Sequence, residues 1–135
     1  MWTYYQTGLL VGPDERQYSA YSGRGEYKNR PDAQYIQDWG PIPCGVYRIG
    51  DPTDTLTHGP YVLPLTPDAA NKMFGRAGFL IHGDSIVEPG TASEGCIIVA
   101  KMVRETIHLS QDRELHVVSG SEMTMVAIDP GTESE

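Results

Sequence analysis

A histidine and a cysteine bracket the stretch "IHGDSIVEPGTASEGCIIV", residues 81 to 99. His82 ends one apolar run, Cys96 opens the next, and mostly glycine, proline and small polar residues lie between them. The chemistry such a pair can do is acyl transfer. A cysteine attacks carbonyls as its thiolate, so a reactive one needs a neighbouring imidazole, main-chain N–H dipoles and partial exposure. The run Ser93-Glu94-Gly95-Cys96 offers those dipoles, and Gly95 permits a tight turn whose N–H groups face both the sulfur and the negative oxygen of a tetrahedral intermediate. His82 sits beside Cys96 if the intervening loop folds back. The competing reading is structural: a histidine at a strand end is commonly satisfied in place, and cysteine is often buried as a small hydrophobe. Residue types and spacing leave both readings open.

The elements that must position this pair are short. Residues 2–11, rich in aromatic and β-branched types and closed by Gly12-Pro13-Asp14, predict a first strand. Residues 21–40 are polar and glycine-dotted, which predicts a long surface loop with one helical turn near Pro31 to Tyr35. Val46 to Ile49 reads as a strand with Tyr47 and Ile49 on one face and Val46 and Arg48 on the other. Asp51 to Pro60 reads as a loop leading to the run Tyr61-Val62-Leu63. Thr66, Pro67 and Asp68 form a helix-start pattern that Gly75 would stop after about two turns. Gly78 to Ile81 and Cys96 to Val99 predict two strands that pair. Val99, Met102, Val103 and Ile107 recur at helical spacing up to Ser110, with Lys101, Arg104, Glu105 and His108 on other faces. Leu115 to Val118 and Met123 to Ile128 are further strand candidates, and Asp129 to Glu135 reads as an acidic tail.

Composition bounds the rest. With 135 residues and no internal repeat or composition shift, one domain over residues 1–128 followed by the tail at 129–135 is expected. The 15 Gly, 10 Pro and 8 Tyr imply many turns and short strands, hence a mainly β fold with one or two short helices. A formal net charge of −8 repels nucleic-acid phosphates and argues against that class of partner. No apolar run approaches the roughly eighteen residues of a membrane span, so no membrane insertion is expected. The segment Met1 to Tyr5 lacks the basic and apolar regions of a secretory signal. The reading is therefore of a chain made in the cytoplasm and carried by other machinery if its substrate lies outside. Cys44 and Cys96 allow at most one disulfide and no zinc framework of their own, and no cofactor is expected.

Longer stretches narrow the function. His82-Gly83 followed by Ser93-x-Gly95-Cys96-Ile97 resembles the His-Gly … Ser/Thr-His-Gly-Cys signature of the L,D-transpeptidases with a YkuD-type catalytic domain, and "GPIPCGVYRIG" is similar to a strand of that fold. Together with "GPYVLPLTPDAANKMFGRAGFLIHGD" and "SEGCII", these stretches more closely resemble the L,D-transpeptidase effectors exported by type VI secretion systems, over Trp2 to about Val118. The resemblance implies a β-sandwich or barrel domain that attacks the peptidoglycan of rival bacteria in the periplasm. It implies that Cys96 attacks the carbonyl of the L-centre of meso-diaminopimelate in a tetrapeptide stem, releases D-alanine and holds the stem as a thioester. Hydrolysis then gives L,D-carboxypeptidase activity, and capture by an amine gives exchange or crosslinking. His82 would be the base, oriented by the carbonyl of Gly83, with the oxyanion on N–H groups of Glu94, Gly95 and Cys96. Partners implied are tetrapeptide stems, a secretion apparatus and a cognate immunity protein.

Two departures stand out. Glu94 occupies the place of the signature His, where an ionised carboxylate donates no hydrogen bond and raises the thiol pKa. Ile98 stands where the signature has Arg, so Arg76 or Arg104 is expected to clamp a substrate carboxylate instead. Asp84 is expected to shape the site beside His82, and Ser93 to brace the turn. His58, His108 and His116 lack a partner at recognised spacing and read as structural. A zinc hydrolase lacks H-E-x-x-H or C-x-x-C spacing, a sortase-like enzyme separates its His and Cys much farther, and papain-like enzymes place Cys before His. The non-enzymatic alternative is a small β module that binds cell-wall peptide without turning it over.

Overall fold

The computed structural model describes residues 1–120. The expected strand candidate at 123–128 and the acidic tail at 129–135 lie outside those residues. The first predicted strand is in fact a hairpin, β1 (Trp2–Tyr5) and β2 (Leu9–Val11), because Gly8, at φ 110°, turns the chain. β3 (Gln17–Ser19) and β4 (Tyr21–Ser22) follow with only Ala20 between them. The long loop then carries two single-turn 3-10 segments, Gly25–Tyr27 and Pro31–Ala33, the second at the expected helical turn. β5 (Gly45–Ile49) buries Tyr47 and Ile49 and exposes Arg48, as the alternation requires. β6 (Thr53–Thr55) and β7 (Gly59–Pro67) form a hairpin within what reads in sequence as loop. β8 (Leu80–His82), β9 (Ile97–Ile98), α1 (Lys101–Leu109) and β10 (Glu114–Val118) complete the described chain.

The predicted helix after Thr66 does not form. Thr66 and Pro67 pair with Arg48 and Tyr47 as the end of β7, and residues 68–75 are turns. The Asp68 carboxylate accepts from Ala70 N–H, and the Asn71 amide bridges both main-chain groups of Val46. Such local side-chain bonds offer the backbone an alternative to a helix, and this segment has too little apolar surface to favour one. A second expectation is corrected in α1, where Met102 faces solvent and Arg104 is buried with Val103 and Ile107.

The strands run in the order β3-β2-β1-β10-β5-β7-β8-β9-β4, with β6 on β7. Since the two end strands of this path are neighbours in sequence, the sheet curls until its edges nearly meet, giving a mainly β, almost closed barrel with a single α-helix among the described residues. Inside lie Trp2, Tyr4, Leu10, Tyr47, Leu63, Ile81, Ile97 and Leu115, with Val103 and Ile107 of the helix packed on them. Burying each Leu or Ile side chain contributes about 1.5–3 kcal/mol. Ile81 and Ile97 are therefore the anchors that fix the strand ends carrying His82 and Cys96.

Candidate active site

β8 is three residues, Leu-Ile-His, with Ile81 fully buried in the core. β9 lies parallel to it, Ile81 opposite Ile97 and His82 opposite Ile98. A parallel neighbour demands a long crossover, which is why residues 83–96 run so far between the two strands. Extending the register back one residue sets Cys96 beside Leu80, whose N–H donates to the sulfur at 3.3 Å. Side chains alternate along strands, so Cys96 and His82 emerge on the same side of this pair, one diagonal apart. Both line one cleft of about 590 Å³, together with Arg24, His58, Asp84 and Glu94. A larger groove of about 760 Å³ passes Arg48, Thr66 and Arg113 elsewhere on the barrel, and no cysteine or histidine lines it.

The imidazole is held in one tautomer. His82 Nδ1 lies 2.9 Å from the Gly83 carbonyl, which can only accept, so Nδ1 carries the proton and Nε2 keeps its lone pair. Nε2 bonds to no protein group among the described residues. His82 as a whole is only 3% exposed. Burial lowers its proton affinity below the ordinary histidine value, with His58 and Arg104 acting in the same direction and the Gly83 bond opposing them. The Cys96 thiol is pushed up to about 11, chiefly by burial and further by Glu94, against the Leu80 N–H and Arg76. At neutral pH both groups rest uncharged.

The turn before Cys96 is built on Ser93, which is fully buried. Its hydroxyl accepts from Gly23 N–H at 2.9 Å and Gly95 N–H at 3.0 Å and donates to the Cys96 carbonyl at 2.7 Å. Gly95 sits at φ 137°, and a Cβ there would lie 2.5 Å from Arg76 Nη2 and 2.8 Å from Phe79, so no other residue fits. The expected oxyanion donors therefore divide: the Gly95 N–H is engaged by Ser93, whereas those of Glu94 and Cys96 donate to no protein group among the described residues.

Both expected clamp arginines are buried and bonded to main-chain carbonyls. Arg76, 5% exposed, donates all four of its Nη hydrogens to the carbonyls of Gln34, Pro41, Gly40 and Glu94. Arg104, 4% exposed, donates to the carbonyls of Tyr61, Val99 and Pro60 and packs beneath Gly83. Buried main-chain acceptors took these guanidiniums because each carbonyl left unpaired costs free energy. Asp84 organises the crossover loop, accepting from Tyr21 Oη and from the N–H groups of Ser85 and Gly90, while Tyr21 Oη in turn accepts from Ala92 N–H.

Three further residues stand in the cleft: His58, which reads as structural in the sequence, and Arg24 and Asp38, which nothing in the sequence marks. The His58 ring lies 4.6 Å from that of His82, centroid to centroid, brought there by the tip of the β6–β7 hairpin. Arg24 and Asp38 line the cleft from the long polar loop. No spacing signal marks any of the three, since each arrives from a segment remote in sequence. His116 pairs with exposed Glu114, and His108 meets Tyr61 edge-on. Cys44 is a free thiol bonded to Gln6, and Cys96 is also free. No group of ligands for a metal ion occurs among the described residues.

This geometry accords with a broader likeness, for residues 16–121 match the Tlde1 domain. The chain belongs to the Tlde1 domain family. That family comprises type VI secretion effectors of L,D-transpeptidase-like character. The matched span includes every cleft residue named above and most of the barrel. No curated protein matches the chain.

Proposed function

We propose that the chain is an antibacterial effector that cleaves D-alanine from peptidoglycan tetrapeptide stems by cysteine acyl transfer. The observation that carries this reading is the Gly83-bound imidazole of His82, which lines the same cleft as Cys96. In the first step Nε2 takes the thiol proton as sulfur adds to the carbonyl carbon of the L-centre of diaminopimelate. The oxyanion rests on the N–H groups of Glu94 and Cys96. The tetrahedral adduct then collapses, the C–N bond breaks, and His82 returns the proton to the departing D-alanine amine. A thioester remains. Water adds next with His82 again as base, the C–S bond breaks, and the tripeptide acid and free thiol are restored. An amine in place of water yields exchange or crosslinking through the same thioester.

Because both groups are uncharged at rest, proton transfer accompanies attack instead of preceding it. On this reading the cleft is reached in the periplasm of a target cell after delivery, and a cognate immunity protein blocks it in kin. The test compares wild-type and Cys96→Ala proteins on purified tetrapeptide-rich peptidoglycan, following muropeptides by mass spectrometry. Tetrapeptides should lose a terminal D-alanine with the first and stay intact with the second. Intact tetrapeptides with both would leave only the peptide-binding alternative.

A further inference from the structure

With Arg76 and Arg104 locked on carbonyls, Arg24 is the one lysine or arginine among the described residues lining the cleft. Its placement is unusually fixed for a half-exposed arginine. The guanidinium carbon lies 4.0 Å above the centroid of the Trp39 ring, and Trp39 is itself held edge-on by Tyr27. The Arg24 N–H donates to the Trp39 carbonyl at 2.9 Å, and the preceding Gly23 N–H donates to Ser93 Oγ in the turn before Cys96. Stacking on an aromatic face orients the planar fork and lowers the entropy lost when it binds.

Of the five N–H groups on that fork, one reaches a protein acceptor among the described residues: Nη1 to Glu94 Oε2, at a long 3.4 Å. The Glu94 side chain is 66% exposed and that of Arg24 35% exposed. Two opposite charges thus stand side by side at the cleft wall, loosely joined and reachable from solvent. A bare carboxylate arriving at Arg24 would meet the Glu94 carboxylate on the same guanidinium nitrogen, with Asp38 also on the cleft wall. A group that carries its own ammonium removes that repulsion, because the carboxylate takes the fork while the ammonium takes Glu94.

We propose that Arg24 and Glu94 together form a recognition site for a zwitterionic amino-acid head group, the free D-centre of meso-diaminopimelate in the stem peptide. This rests on the proposed function for the identity of the peptide, and it gives the Glu that replaces the signature His a role of its own. Arg24 is here a specificity residue that touches substrate away from the reacting carbonyl.

The test measures binding in the Cys96→Ala background, where turnover plays no part, and so separates failure of this site from failure of the acyl-transfer reading. Three soluble tetrapeptides are titrated by calorimetry: one with meso-diaminopimelate, one with its side-chain carboxyl amidated, and one with lysine at that position. The last two keep the ammonium and lack the carboxylate. The Cys96→Ala protein is expected to bind the first about tenfold or more tightly than the others, as a charge-assisted bidentate contact allows. Adding Arg24→Gln should reduce that preference to about twofold or less, and Arg24→Lys should retain part of it. Adding Glu94→Gln should weaken all three peptides together. A preference that survives Arg24→Gln, a loss equal for all three peptides on Arg24→Gln, or no preference at the outset would each overturn the proposal.

Discussion

His82 and Cys96 line one cleft and each is kept uncharged by burial, and this has consequences for pH dependence. On the proposed mechanism, catalysis needs neutral His82. Because burial holds its pKa below the ordinary histidine value of about 6.5, the acid limb of kcat/KM should fall below that pH. Burial pushes the Cys96 thiol up to about 11, so its alkylation by iodoacetamide, followed by peptide mapping, should be slow at neutral pH and climb steadily through the alkaline range. A plateau already reached at pH 7 would mean a preformed thiolate–imidazolium pair and would sink this account. His58 adds to the same effect, since its ring faces that of His82. His58→Ala admits water to the His82 ring, and its titration by NMR should move upward, carrying the acid limb of activity with it.

At the scale of elements, the site depends on a tight turn tied to segments remote in sequence. Ser93 closes it with three hydrogen bonds, and Ser22 of β4 adds another by donating to the Gly95 carbonyl at 2.8 Å and accepting from Ile42 N–H. Ser93→Ala leaves two donors and an acceptor unpaired inside the protein, which costs about 1–3 kcal/mol. The midpoint of thermal unfolding should drop by several degrees, and kcat should fall more than KM rises, because the displaced atoms belong to the Cys96 turn. The turn's demands were partly legible: Ser93 and Gly95 announce a tight, small-residue bend. The β6–β7 hairpin was not legible as such, since Asp51 to Pro60 holds turn-forming residues and its pairing depends on β7, whose Tyr61 to Leu63 showed only as a short run. Thr66-Pro67-Asp68 misled in the opposite sense, because Pro at a helix start and Pro at a strand end share one φ.

For the whole molecule, several ionisable groups make stability fall in acid. Asp84, against the desolvation that raises it, is held below the ordinary carboxylate range by Tyr21, Gly90, Ser85 and Lys28, and Asp51 by the Arg113 guanidinium. A carboxylate with a lowered folded pKa stabilises above its unfolded value of about 3.9, and that contribution is lost as pH falls through the folded value. His82 acts in the same direction at higher pH: below about 6.5 the unfolded chain takes up a proton that the folded ring resists, so folding is penalised. Urea unfolding should therefore show a lower midpoint at pH 5 than at pH 7, and a further drop toward pH 3. A midpoint constant between pH 7 and 5 would contradict the burial of neutral His82.

The sequence by itself determined the mainly β class, the strand pair that carries His82 and leads out of Cys96, and the helix that follows, because each is written in local alternation, turn residues and spacing. It also carried the family resemblance, through motifs that lie close together. Only the tertiary structure decided which arginine faces the cleft. Arg24, Arg76 and Arg104 look alike in sequence, and their fates were set by buried carbonyls that the folding barrel left near two of them and a tryptophan face that it left beneath the third. Which of several equal charges is consumed inside a protein depends on acceptors contributed by distant segments, and no local pattern records that.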